Sequence, residues 1–348
     1  MTNISSHPQN DLNFNFGNFS LVPGGSNRQI GDNGMFICKT ANQWIDDAAK
    51  RPNPQSLWND LWFEDEVCCL FADTNLGKSI LAVQIAIEIA RKVKDLVLYF
   101  DFELTDKQFQ RRYTNEETGK IFEFPNNLHR VELNPEVFVE DNIEFVLDQI
   151  EIVAKEAGSK ILIIDNITWL TSKSESGDAA AQLMSRLIQM KKRGGFSVLV
   201  LAHTPKRNTN SPLTQNSLAG SKRIANFMDS IFAIGTSKKN RPSSRYIKQI
   251  KVRSTEMTYG DDNVIECEIV KEDDFLHFEV KGHGTEAENL DEPDENKIRR
   301  KEADIEIARR LNEHQSYSTI QKEMGVSSKT IAKVSRNLSE YSEYLDAD

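Results

Sequence analysis

Between residues 67 and 201, apolar runs of strand length alternate with longer runs of helical period, at 67–71, 80–90, 97–100, 143–154, 161–164, 183–190 and 196–201. Strands linked through helices return to their sheet in parallel, so this alternation predicts an α/β fold, a mostly parallel sheet with helices on both faces. From Tyr246 onward the period falls to two, with turn residues at 258–263 and 272–274. That change predicts antiparallel hairpins that finish the sheet. A chain of 348 residues accommodates one such domain and a small appended module. The expected division is a polar, Gly-bearing tail over 1–35, an α/β domain over 36–281 opening with a short helix over 40–50, an acidic linker containing Pro293 over 282–296, and a helical module over 297–348.

Composition narrows the setting. The longest apolar runs are of strand length, so no membrane span is expected, and residues 1–33 lack the cationic start and apolar run of a secretory signal. The four cysteines, Cys38, Cys68, Cys69 and Cys267, form no C-x-x-C pair, and Cys68 and Cys69 fall inside an apolar run where thiols serve as small hydrophobes. A reducing, cytoplasmic location is expected. The formal charge of −10 excludes a chain that coats nucleic acid over its whole surface, so contact with DNA would have to come from local basic clusters.

The run Ala72-Asp73-Thr74-Asn75-Leu76-Gly77-Lys78-Ser79 lies between an apolar strand and a helical run, the context a phosphate-binding loop requires. Such a loop aims backbone N–H groups and a helix N-terminus at phosphate oxygens. Gly77 permits close approach of the backbone, Lys78 reaches the β- and γ-phosphates of ATP, and the Ser79 hydroxyl ligates Mg²⁺. The loop departs from the usual pattern at its first position, where Ala72 replaces glycine. Ala costs little there if φ is negative and strains the loop if φ is positive.

A second signal is the run 161–165, a buried-type strand that ends in Asp165. In this setting the carboxylate belongs beside the Mg²⁺. The next residue is Asn166, so a water-activating carboxylate must come from elsewhere. Glu103, just past the strand over 97–100, is the candidate.

These motifs, in this order over about 57–280, resemble the RecA-like P-loop ATPases, and among them hexameric DNA helicases of the DnaB and plasmid RepA kind. The resemblance implies that Glu103 is the catalytic carboxylate and Asp165 the Mg²⁺ carboxylate. It further implies that His203, at the end of 197–203, senses the γ-phosphate, and that Lys251 and Arg253, in 248–253, reach the ATP site of the next subunit. Strand alternation places Lys251 and Arg253 on one face. The implied assembly is a homo-oligomer, a hexamer where it follows the resembled helicases, acting in replication or mobilisation of a genetic element.

The resemblance also implies that the loops at 172–178 and 205–215, the latter carrying Lys206 and Arg207, face single-stranded DNA, with Lys222 and Arg223 as further contacts. In 318–334, Ile320, Met324, Val326, Ile331 and Val334 fall where a helix-turn-helix needs its core, with Gly325 in the turn and Ser327 or Ser328 as cap. Lys329, Thr330, Lys333 and Arg336 then face outward, toward the major groove of double-stranded DNA. Gln321 stands where a small residue is common and is expected to loosen the helix packing. The same residues also suit a regulatory protein that binds DNA and oligomerises on ATP without translocating, or a scaffold that binds nucleotide without turnover.

Overall fold

The alternating runs of the sequence build one nine-stranded sheet. The computed structural model describes residues 37–137, 143–167, 179–204, 208, 210–218, 222–239, 242–290, 295–338 and 341. Its strands are β1 (Ser56–Trp58), β2 (Trp62–Phe63), β3 (Val67–Ala72), β4 (Val97–Asp101), β5 (Leu128–Val131), β6 (Ile161–Asp165), β7 (Ser197–His203), β8 (Ser230–Thr236), β9 (Ser244–Lys251), β10 (Val264–Glu272) and β11 (Phe275–Gly284). The helices are α1 (Ala41–Ala49), α2 (Lys78–Lys92), α3 (Asp106–Arg112), α4 (Ile143–Glu156), α5 (Ala179–Gly194), α6 (Lys222–Phe227), α7 (Glu286–Asn289), α8 (Glu295–Asn312), α9 (Tyr317–Met324) and α10 (Ser328–Arg336). The expected tail and the loop at 172–178 lie outside the described residues.

β1 and β2 form a separate two-stranded ribbon, and the large sheet runs β11-β10-β9-β8-β3-β7-β6-β4-β5. The six strands from β8 to β5 are parallel, and β9, β10 and β11 continue antiparallel from β8. In this sheet β7 separates the phosphate-loop strand β3 from the Asp165 strand β6. Alternation along β3 divides the core: Val67, Cys69 and Phe71 pack with α4 and α5 on one face, and Cys68, Leu70 and Ala72 pack with α2 on the other. Cys68, Cys69 and Cys267 are buried in these layers, and Cys38 is exposed.

Helix α2 is apolar almost all round because it is enclosed on two sides. The sheet covers one side. The β10–β11 hairpin covers the other, where the Gln84 side-chain amide donates to Phe278 O (3.1 Å) and accepts from Phe278 N–H (2.8 Å). The hairpin tip reaches the segment between α3 and β5, with Asp273 taking bonds from Asn115 and Lys120, each 2.7 Å. Phe275 stacks on Phe122 with centroids 4.5 Å apart. The wrap fixes the hairpin over the start of α2.

One boundary differs from expectation. Residues 282–290, read as linker, belong to the folded core: β11 runs to Gly284, and α7 buries Glu286 and Asn289. The cause is a buried ion pair, Lys248 Nζ to Glu286 Oε2 at 2.5 Å, with the Tyr246 hydroxyl donating to Glu286 Oε1 at 3.0 Å. An acidic composition signals a solvated linker only where the acid lacks a buried partner. The last three helices have a small core of their own around Ile307, Ala308, Ile320, Ile331 and Val334, with Met324 and Val326 packed against it. The chain divides into compact units after Asn53. Before that point, α1 is a helix capped by Thr40 through a reciprocal capping box with Gln43.

Candidate active site

Four strand ends and one helix start meet at the C-terminal edge of the parallel strands. The first is the loop after β3. Ala72 ends β3 in register with His203 on β7 and Ile234 on β8, and it is not among the residues with positive φ. Alanine at this position is therefore unstrained. The left-handed turns fall later, at Asn75 (φ 65°) and Gly77 (φ 92°). A Cβ on Gly77 would also lie 2.8 Å from Ile269 Cδ1 and 3.1 Å from Phe278, so both conformation and space demand glycine.

Lys78, the first residue of α2, is only 7% exposed. Its ammonium donates to Ala72 O at 3.1 Å and lies 3.0 Å from His203 Nδ1. Burial pulls its pKa down, and the carboxylates of Asp165, Glu103 and Asp73 oppose that shift. A buried cation among acids, aimed from a helix start, is built to receive an anion.

Asp165 ends β6 and is fully buried. Tyr99 donates its hydroxyl to Oδ2 at 2.6 Å, and the Ser79 side chain lies near enough to favour the charged carboxylate. Among the described residues Oδ1 is buried without a hydrogen-bond partner. Burial raises the Asp165 pKa to about 6, against the opposing influence of Ser79 and Tyr99. An orphaned buried carboxylate oxygen beside a serine hydroxyl fits a divalent cation. Among the described residues no cluster of three or more His, Cys, Asp or Glu could cage a metal. The pair Ser79 and Asp165 is instead the sparse donor set Mg²⁺ uses when substrate phosphates complete its shell.

Glu103 lies on the turn after β4, and β4 is the immediate neighbour of β6, with Asp101 paired to Asp165. Asp101 Oδ1 accepts from the N–H groups of Glu103 (3.1 Å) and Leu104 (2.9 Å), while Phe102 N–H donates to Asp165 O at 2.7 Å. Arg130 on β5 pins the turn from outside, donating to Asp101 Oδ2 at 2.9 Å and to Leu104 O at 2.7 Å. The Glu103 side chain then meets Asn166, whose Nδ2 donates to Oε2 at 2.7 Å. The same Nδ2 lies 3.3 Å from His203 Nε2. The His203 pKa is lowered by burial and by Lys78, which favours the neutral ring.

Lys78, Ser79, Glu103, Asp165 and His203 are thus brought together. Sequence reasoning missed Tyr99, Asp101, Arg130 and Asn166. The positions of Asn166 directly after Asp165 and of Asp101 two residues before Glu103 were the available signals, and Tyr99 and Arg130 carry none that is local.

Lys251 and Arg253 are elsewhere. Lys251 ends β9 opposite Ile231, at the start of β8, whereas the phosphate loop adjoins the end of β8. Antiparallel pairing carries them to the opposite edge of the sheet from Lys78 of their own chain. There Lys251 donates to Ala225 O (2.8 Å) and Asn226 O (3.1 Å), and Arg253 to Asp229 (3.3 Å) and Asn226 O (3.2 Å). The expected shared strand face is corrected in one respect, since β9 stops at Lys251 and Arg253 lies beyond it.

Of the expected DNA-contacting residues, Lys206 and Arg207 lie outside the described residues, and for Lys222 and Arg223 only the helical backbone at the start of α6 is described. In the C-terminal module Gly325 ends α9 at φ 65° and Ser327 caps α10. Ile331 and Val334 face inward, while Lys329, Lys333 and Arg336 are exposed and Thr330 half-buried. Gln321 does not loosen the packing: its Oε1 accepts from the Ser328 hydroxyl at 2.9 Å and bridges the two helices.

Among the described residues no helix is long and apolar enough to cross a membrane. A search of curated proteins finds no match. Among solved structures the chain is similar to a KaiC-like protein, PH0186, from the hyperthermophilic archaeon Pyrococcus horikoshii OT3, at 16% identity and a TM-score of 0.46, covering 63% of this chain and 91% of that one. Residues 37–209, just under half of the chain, match the family model described as an AAA domain.

Proposed function

We propose that the chain is an ATP-hydrolysing motor that acts on DNA as a homo-oligomer, a helicase or translocase serving replication or mobilisation of a genetic element. The observation that carries this reading is the placement of Glu103 beside Lys78, Asp165 and His203, which assembles phosphate grip, metal ligand and water-activating base at one sheet edge.

Lys78 leaves its contacts with Ala72 O and His203 for the β- and γ-phosphates, and the loop N–H groups take the remaining phosphate charge. Ser79 and Asp165 would hold Mg²⁺, which when bound would supply stabilisation of the charge on the transferring phosphoryl group. Glu103 orients the attacking water and accepts its proton, in line with the departing ADP. His203, within reach of Lys78, reads whether the terminal phosphate is present. Lys251 and Arg253, too far round the sheet to serve their own site, serve a neighbour's, where an arginine supplied in trans contributes roughly 10³–10⁵ in rate.

DNA enters this reading through charge. Lys329, Lys333 and Arg336 project from the outer face of the second helix of the C-terminal module, despite a chain of net charge −10. That module favours a second reading, a DNA-bound regulator that oligomerises on ATP without moving along a strand. ATP turnover with and without single-stranded DNA separates the two. Stimulation supports the motor, turnover indifferent to single strands supports the regulator, and no turnover removes both.

A further inference from the structure

We propose that Asn166 is a positioning residue that couples the phosphate-sensing His203 to the water-activating Glu103. The proposal rests on the ATPase reading above and deepens it. Two distances carry it, Nδ2 to Glu103 Oε2 at 2.7 Å and Nδ2 to His203 Nε2 at 3.3 Å. The 2.7 Å contact orients the amide, because a carboxylate oxygen accepts and only the NH₂ end of the amide can donate to it.

The hydrogen inventory around His203 gives the coupling its direction. Lys78 Nζ sits 3.0 Å from Nδ1 and Asn166 Nδ2 sits 3.3 Å from Nε2, so two donor groups face one ring. A neutral imidazole has one lone pair to offer and one N–H of its own. With Lys78 against Nδ1, the ring accepts there and presents N–H toward Asn166, donor against donor. Once Lys78 turns to a phosphate, the ring carries its proton on Nδ1, and Nε2 accepts from Asn166. The amide then spends one hydrogen on Glu103 and the other on His203, so the group that holds the carboxylate is itself anchored at the end of β7. Lys78 occupancy thereby reaches Glu103 through two side chains, both at the ends of neighbouring strands β6 and β7.

Three groups bound the alternatives. Asp101 and Arg130 fix the backbone of the Glu103 turn and do not touch its carboxylate through any contact described above. Tyr99 engages Asp165 instead. Asn166 is 5% exposed, so water competes poorly for its amide.

The test uses the full chain with Mg·ATP and compares wild type, Glu103→Gln, Asn166→Ala, the isosteric Asn166→Asp, His203→Ala, and the Asn166→Ala/His203→Ala double variant. Nucleotide affinity is followed separately with a fluorescent ATP analogue. Both Asn166 variants are expected to lose about 10- to 100-fold in kcat, the loss typical of a misplaced reacting group. KM and analogue affinity should stay within about threefold, as for a residue that acts in the transition state. Asn166→Asp should be no better than Asn166→Ala, because it keeps the volume and removes the donor. In the double variant the Asn166 change should lose most of its effect. An Asn166→Asp enzyme with wild-type kcat would reduce Asn166 to a space-filling role and overturn the proposal, as would strictly multiplicative losses in the double variant. If Asn166→Ala fails to fold, the isosteric variant and wild type decide the matter. A wild type that binds the analogue yet equals Glu103→Gln in turnover removes the ATPase reading itself, a result distinct from normal turnover in the Asn166 variants.

Discussion

The backbone N–H of Glu103 donates to the side chain of Asp101, two residues earlier, at 3.1 Å, so the strand end itself builds the turn that presents the candidate base. Asp101 is buried, and Arg130 supplies its counter-charge and a second bond to the turn at Leu104. Arg130→Ala leaves a buried carboxylate unpaired and should cost about 2–4 kcal/mol in urea unfolding. Turnover should fall at least about tenfold as Glu103 loses its fixed approach. Arg130→Lys restores the charge without the fork and should recover only part of either loss. Wild-type stability in Arg130→Ala would show that the turn stands without this brace.

Gly77 carries a double constraint, φ of 92° and two hairpin side chains where a Cβ would go. Gly77→Ala should destabilise by about 1–2 kcal/mol from the backbone, more with the contact against Ile269, and should weaken nucleotide binding strongly. Adding Ile269→Ala removes the shorter of the two contacts and leaves the backbone part and the Phe278 contact. Thermal melting of Gly77→Ala, Ile269→Ala and the double variant measures this. Equal melting of Gly77→Ala and the double variant would show that the hairpin does not press on the loop.

Asp165 should make the protein less stable as pH rises. Its folded pKa, raised by burial to about 6, stands above the ordinary 3.8, so between these values the folded state binds the proton the unfolded state has lost. The penalty is absent below about 3.8, grows through that window, and is complete above about 6. A shift of this size corresponds to at most about 3 kcal/mol. Asp165→Asn should therefore melt higher than wild type at pH 8 and converge with it near pH 4, while losing ATP turnover. Mg·ATP should stabilise wild type selectively at the higher pH. A difference between the two proteins that does not change with pH would contradict this account.

Arg253 should matter only between subunits. Turnover per chain should rise with protein concentration, and Arg253→Ala should flatten that rise by roughly 10³-fold or more at the high end. Equal numbers of Arg253→Ala and Glu103→Gln chains, mixed, should regain activity, because some interfaces then combine an intact base with an intact arginine. Concentration-independent turnover in wild type would place the reaction within one chain.

The C-terminal module should bind duplex DNA through ion release. Substituting Lys329, Lys333 and Arg336 by Ala should weaken binding and reduce the salt slope by about one per lost phosphate contact. ATP turnover without DNA should not change. An unaltered slope would assign these charges to solvent.

The sequence by itself determined the local and periodic features. It showed the strand–loop–helix around Lys78, the strand ending in Asp165, the switch to hairpins after Tyr246, and the capped helices about Gly325, because each is written in adjacent residues or in a repeat of two or 3.6. Tertiary structure alone decided which strand ends meet. The order β3-β7-β6-β4 gathers Lys78, His203, Asp165 and Glu103 and inserts Asn166 among them, and no local pattern encodes strand order, since every buried parallel strand reads as the same apolar run. The same distant pairing turns 282–290 from acidic linker into core through Lys248 and Glu286, and carries Lys251 and Arg253 to the far edge. Pattern tells each residue which face it occupies; pairing over long sequence separations tells it which neighbours it has.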